Sequence, residues 1–247
     1  MGRLEWLLCE CAGEGVSDIY VCVCDVKIMS GGNLAILVGQ NVGQLIRSLS
    51  SGRIVVESLM DNKQKMIDGQ EHSPGDPKLA QARLEIKTLC QKFNTLPYED
   101  VSRRALMNQI LGTSHSFVEP PFWLDYPFNF EVGNGFYANH GCTILNSAPV
   151  TIGRNVLFGP GVTLATPTHP YDPRKRSSGA EVAKPIFIDD DCWLGANVTV
   201  LPGVTIGRNC IVAAGSVVTR SLPNDSICGG VPAKTLRAKD EINDPYF

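Results

Sequence analysis

The stretch IDDDCWLGANVTVLPGVTIGRNCIVAAGSVV, from Ile188 to Val218, carries an aliphatic residue at every sixth position: Ile188, Leu194, Val200, Ile206, Val212 and Val218. A helix repeats near 3.6 residues and a strand at 2, so neither produces this period. Small residues follow the aliphatics in Gly195, Gly207 and Ala213. A period of six with small followers marks a hexapeptide parallel β-helix, in which three short strands form one triangular coil and coils stack. Aliphatic rows then line the interior, and small residues let the chain turn at the corners.

The same phase extends upstream through Ile152, Phe158 and Leu164, followed by Gly153, Gly159 and Ala165. Four positions after each aliphatic comes a second row of small or apolar residues: Val156, Val162, Cys192, Val198, Val204, Cys210 and Ser216. A weaker phase runs through Val132, Ala138, Ile144 and Val150, then slips by two residues to Ile152. An ordinary sandwich with Gly-rich turns competes with this fold, but it does not require sixfold spacing.

The 247 residues suffice for one large domain or a domain with appendages. A net charge of −3 with no basic block argues against nucleic acid as a partner. No apolar run is long enough to span a bilayer, and Asp25, Lys27 and Asn33 interrupt the 19–39 stretch. The start, MGRLEWLLCECAGEG, lacks a basic n-region with a long apolar core, and Trp6 breaks the myristoylation pattern. The nine cysteines are an odd number, and Cys142, Cys192 and Cys210 fall on inward positions as small apolar fillers. These features predict a reduced, cytoplasmic protein with no membrane partner.

Residues 1–60 show no sustained period and are expected to be a poorly ordered extension. Met60 or Met66 would also serve as a start. Cys9-x-Cys11 and Cys22-x-Cys24 fit zinc badly, because structural sites use two to four intervening residues. No metal is expected. Residues 61–115 read as a helical unit. Asp76 and Pro77 start a helix with Leu79, Ala82, Ile86, Leu89 and Phe93 on one face. A second helix is expected over about 99–111, with Val101, Ala105 and Ile110 inward and Gly112 as its stop. Pro120-Pro121 opens the β region. The mainly β part takes 116–247, with coils over about 125–232, a polar insertion at 166–185 and a charged tail.

Several segments carry a resemblance: FNTLPYEDVSRRALMNQILG, EPPFWLDYPFN, FYANHGCTIL, and THPYDPRKRSSGAEVAKPI followed by AAGSVVT and GGVPAK. In these the chain resembles the maltose/galactoside O-acetyltransferases of the hexapeptide-repeat acyltransferases, over about 77–237. The resemblance implies a left-handed parallel β-helix behind a short maltose-acetyltransferase-type helical unit. It also implies a homotrimer, with acetyl-CoA as co-substrate in the groove between two β-helices and no metal. Cyclic association would cover an exposed apolar flank.

Acetyl transfer to a hydroxyl needs a base, and an imidazole titrates near neutral pH. His169, in Thr168-His169-Pro170, aligns with the family's catalytic His. Glu181 stands where maltose-type members carry a carboxylate near the base, where it could hold the other ring nitrogen; a plain surface glutamate is the alternative. Asn139 matches the family's substrate-contacting Asn, or else fills a coil corner. The resemblance points to the Ala196 amide as oxyanion donor. It assigns Ala214, Thr219, Arg220, Lys234 and Arg237 to the CoA groove, with Trp193 packing there, and the cations would meet phosphates. A solvated basic surface is the alternative for those cations. Arg83, Asp125, Tyr137 and Ser147 align with acceptor-pocket positions.

The chain departs from the family at two places. Relatives read GE-x-Y-D/N before the first helix, whereas this chain reads Gly69-Gln70-Glu71-His72-Ser73, and Asn146 replaces a common Asp. Both departures remove carboxylates that would grip sugar hydroxyls. The implied acceptor is a sugar or similar small polyol hydroxyl. The alternatives are an N-acetyltransferase acting on an amino sugar or small amine, or a non-catalytic trimeric scaffold. A zinc enzyme would need about three His ligands, and the repeats offer only His140 and His169.

Overall fold

Every aliphatic of the sixfold row from Ile188 to Val218 is buried, as is the second row from Cys192 to Ser216. The computed structural model describes residues 61–238 and four strands within 25–58. In it the two rows form the interior of a parallel β-helix of about six coils. The first sheet stacks Phe130–Val132, Val150–Ile152, Ile186–Ile188 and Thr205–Ile206. The second stacks Phe117–Val118, Tyr137–Ala138, Leu157–Phe158, Trp193–Leu194, Ile211–Val212 and Ser226–Gly230. The third stacks Phe122–Leu124, Cys142–Leu145, Thr163–Ala165, Thr199–Val200 and Val217–Val218. Ala233–Ala238 then returns antiparallel beside Ser226–Gly230. The first coil therefore begins at Phe117, one strand before Pro120-Pro121, which turns a corner inside it.

The two-residue slip has a physical cause. Thr199 pairs with Val217 and Trp193 with Ile211, eighteen residues per coil. In the early coils Phe122 pairs with Cys142 and Tyr137 with Leu157, twenty residues per coil. The extra pair widens the corner between the third and first sheets, so Val150 and Ile152 both point inward on one strand. Asn146 fills that corner. Its Oδ1 accepts from the Asp125 and Tyr126 amides (3.1 and 2.9 Å), and its Nδ2 donates to the Tyr126 carbonyl (2.7 Å). A carboxylate could not make the last bond.

The small residues after the aliphatics answer to stacking. A Cβ on Gly159 would come within 2.7 Å of the Ala196 nitrogen, and one on Gly195 within 2.7 Å of the Ala214 nitrogen. Each meets the backbone of the next coil, which cannot move aside. Corner residues Asn155, Asp191, Asn197, Asn209 and Asp225 take positive φ, the left-handed region that Asn and Asp tolerate. Cys142, Cys192 and Cys210 are buried free thiols, and burial pushes the Cys142 thiol up to about 11, keeping it protonated.

The helical unit contains α1 (Asn62–Ile67), which apolar spacing did not reveal, then α2 (Pro77–Thr95) and α3 (Ser102–Leu111). The Asp76 side chain caps α2 with Pro77 at its first turn. Leu79, Ile86 and Phe93 are buried as expected, and Cys90 joins them. The second helix starts later than expected. Val101 precedes it and is 94% exposed, and Ala105 faces solvent. Leu106, Met107, Ile110 and Leu111 form the buried face instead. Gly112 ends α3 at φ 69°.

The chain divides into two units, Met1–Met60 and Asp61–Phe247. In the first, strands Asp25–Ile28, Leu34–Leu37, Gln44–Ser48 and Ile54–Ser58 pair antiparallel in chain order. The four N-terminal cysteines of the zinc question lie outside the described residues. Among the described residues no helix is long and apolar enough to cross a membrane.

Gly195→Val is expected to destabilise the β-helix by about 1–3 kcal/mol or more, because the new side chain strikes rigid backbone. Thermal unfolding followed by circular dichroism checks this.

Candidate active site

The insertion leaves the corner between the third and first sheets as a hairpin. Pro167–Thr168 pairs antiparallel with Val182–Ala183. Its tip carries α4 (Pro173–Ser177), capped by the Asp172 side chain. Arg176 donates to the Pro170 and Tyr171 carbonyls (3.2 and 3.1 Å) and draws the tip together. His169 follows the first hairpin strand and is solvent-exposed. Its Nδ1 lies 3.0 Å from the Ala180 carbonyl oxygen. A carbonyl only accepts, so Nδ1 carries the proton and the neutral ring keeps its lone pair on Nε2. This is the tautomer a general base needs.

The ring is therefore held by a backbone carbonyl and not, as the sequence suggested, by the Glu181 carboxylate. Glu181 instead faces His72, with Nε2 and Oε1 3.4 Å apart. Both residues are buried, and neither atom has a hydrogen-bond partner among the described residues. Burial pushes the Glu181 carboxyl up. Polar contacts with His72 and Ser147, together with the charges of His72 and His169, outweigh burial and hold it below the usual carboxylate value. Sequence reading did not single out His72, which falls on the Tyr of the pattern that the resemblance implies before the first helix.

The remaining candidates divide between two edges of the prism. Ser147, the insertion with His169 and Glu181, and Thr219 and Arg220 lie at the corner between the third and first sheets. Asn139, Ala196 and Ala214 lie at the corner between the second and third sheets. The third sheet separates the two groups, so a single copy does not bring His169 together with Asn139 or Ala196. Asn139 Oδ1 accepts from the His140 amide (2.7 Å), while its Nδ2 makes no bond among the described residues. The Ala196 N–H likewise donates to no described acceptor, although its carbonyl accepts from Gly215 (2.7 Å). Tyr137 and Trp193 point outward from the second sheet. Lys234 and Arg237 are exposed on the final antiparallel strand.

Two acceptor candidates are already engaged. Arg83 on α2 donates to the Tyr126 hydroxyl and to the Pro74 carbonyl (2.7 Å). Asp125 pairs with Lys87 at 2.8 Å. Asn146 is fully buried, and its side-chain amide is spent on the Asp125 and Tyr126 backbone. Ser147 is buried against Glu181.

The depressed Glu181 carboxyl has a consequence for stability. Its folded value lies below the unfolded one, so its contribution is present above the ordinary Glu range near about 4.3 and is lost as pH falls through the folded value. Glu181→Gln is expected to lose less stability than wild type as pH drops through that window, measured by thermal midpoints from pH 7 downward.

Known families and proteins share this fold and much of its sequence. Residues 65–115 match the maltose acetyltransferase hexapeptide capping motif, and 185–220 match the bacterial transferase hexapeptide (six repeats). The galactoside O-acetyltransferase of Escherichia coli (strain K12) is 40% identical over 169 residues, covering 67% of this chain and 82% of that protein. A galactoside acetyltransferase structure in complex with coenzyme A superposes with a TM-score of 0.72 at 34% identity, covering 76% of this chain and 96% of the other. A hexapeptide-repeat acetyltransferase from Vibrio cholerae O1 biovar eltor, complexed with acetyl coenzyme A, gives 0.65 at 33% identity, covering 72% and 98%. With its stacked sixfold coils, capping helices and histidine-bearing insertion, the chain belongs to the maltose/galactoside O-acetyltransferase family of hexapeptide-repeat acyltransferases and is an acetyltransferase.

Proposed function

We propose that the protein moves an acetyl group from acetyl-CoA directly to a hydroxyl of a sugar or similar small polyol, with His169 as general base. The hydrogen bond from His169 Nδ1 to the Ala180 carbonyl carries this reading, because it leaves a basic Nε2 on an exposed ring. Acetyl-CoA supplies an activated thioester carbonyl. His169 Nε2 takes the acceptor's proton as the hydroxyl attacks. The open Ala196 N–H, backed by the Asn139 amide, donates to the charge that develops on the acyl oxygen. The exposed cations Arg220, Lys234 and Arg237, drawn with Thr219 and Ala214 from both edges, suit the CoA phosphates. All described cysteines are buried within the fold, which favours direct transfer over an acyl-cysteine. Their free thiols suit a cytoplasmic protein.

The division of the site between two prism edges supports a homotrimer, in which the histidine edge of one copy meets the Asn139–Ala196 edge of the next. A second observation agrees. Phe117, Tyr137, Leu157, Trp193 and Ile211 form an outward apolar stripe on the second sheet, with Phe117 and Tyr137 stacked at 6.2 Å. Such a stripe is covered at small cost by cyclic association.

His169→Ala is expected to lower kcat by about 10²- to 10⁴-fold and to leave CoA affinity intact. Turnover equal to wild type refutes the base. An acceptor panel read by thiol release and mass shift tests the substrate class: one added acetyl on a polyol supports it, and acetylation of amines alone overturns it. Leu157→Glu is expected to dissociate the assembly, seen as a drop to monomer mass in sedimentation, with loss of turnover.

A further inference from the structure

The segment before α2 is clamped onto the insertion. His72 and Glu181 exchange two backbone hydrogen bonds (3.0 and 3.1 Å). Lys175 on α4 reaches Glu71 at 3.1 Å. Gly69, at φ 68°, lies so near that a Cβ would stand 3.2 Å from the Ala183 carbonyl oxygen. The peptide joining Ala180 to Glu181 is used at both ends. Its N–H donates to the His72 carbonyl, and its C=O accepts from His169 Nδ1. The chain of bonds runs from the catalytic-loop ring, through one peptide, to the helical unit. Such chains polarise and stiffen each member.

The side chains above this bridge pose a problem of satisfaction. His72 Nδ1 is 3.0 Å from the Gln70 carbonyl, so it donates there. Nε2 faces Glu181 Oε1 at 3.4 Å, His72 is only 3% exposed, and neither atom has another partner. A carboxylate only accepts, so a bare Nε2 would set lone pair against lone pair in a buried site. One proton between them removes the conflict. The other groups facing the pair are Ser147, His169 and the Tyr126 phenol, which Arg83 holds.

We propose that His72 is a positioning residue for acetyl transfer: a proton held between its Nε2 and Glu181 Oε1 locks the 180–181 peptide that aims His169 and offsets the Glu181 charge beside that ring. This rests on His169 being the base. The signs follow from charge. Glu181 favours a protonated His169, and the proton on His72 opposes it.

The test is the kcat–pH profile of the full chain and of H72Q, H72F and E181Q, with H169A as control. Loss of the His72 charge moves the acidic limb up by about half a pH unit or more, and loss of the Glu181 charge moves it down. Acetyl-CoA KM stays within about twofold, and H72F lowers the plateau by about tenfold, which the amide of H72Q partly restores. Opposite displacements are a signature that simple loosening of the fold cannot give. Limbs unmoved, or moved the same way in both kinds of variant, overturn the proposal. If H72F fails to fold, H72Q and E181Q decide. An active H169A sinks the base and this inference together; an inactive H169A with unmoved limbs sinks only the role of His72.

Discussion

Successive coils stack one β-spacing apart, about 4.8 Å, and at the corners the backbone of one coil fills the space that a side chain of the previous coil would need. Gly159 against Ala196 and Gly195 against Ala214 show how little room remains. Everything else depends on this closeness. It lines the parallel hydrogen bonds up in register, brings the aliphatic rows into contact, and leaves three straight edges with fixed spacing. A rigid edge is a good support for chemistry, because it holds donors in place without reorganisation.

A smooth prism offers few reaching side chains. The insertion supplies them, and it does so at a corner already widened by two residues and filled by Asn146. The hairpin does not stand alone. The loop before α2 bonds to it through His72 and Glu71, so the capping helices and the insertion form one local structure. Helical caps of this kind therefore do more than close the end of a solenoid. Here they reach the peptide that orients the histidine.

The sixfold row, the insertion and the two longer helices were legible because each rests on a short-range period or cap. Errors fell where several phases fit equally well. Val101 and Ala105 satisfy a helical spacing, yet Leu106 and Met107 bury more area and claim the inward face. Helix α1 was missed because six residues with three lysine or glutamine side chains offer little apolar pattern. The partner of His169 was misjudged for another reason. A backbone carbonyl has no letter in the sequence, so the visible carboxylate of Glu181 took its place.

The amino-acid sequence alone determined the coil and its small corner residues, since these follow from local spacing and residue chemistry. Only the tertiary structure decided that Glu181 belongs to His72, that Asn146 serves the backbone, and that His169 and Ala196 lie on different edges. These are contacts between residues far apart in the chain. Their pairing depends on how the coils stack and where the helical unit lands, and no local pattern encodes that.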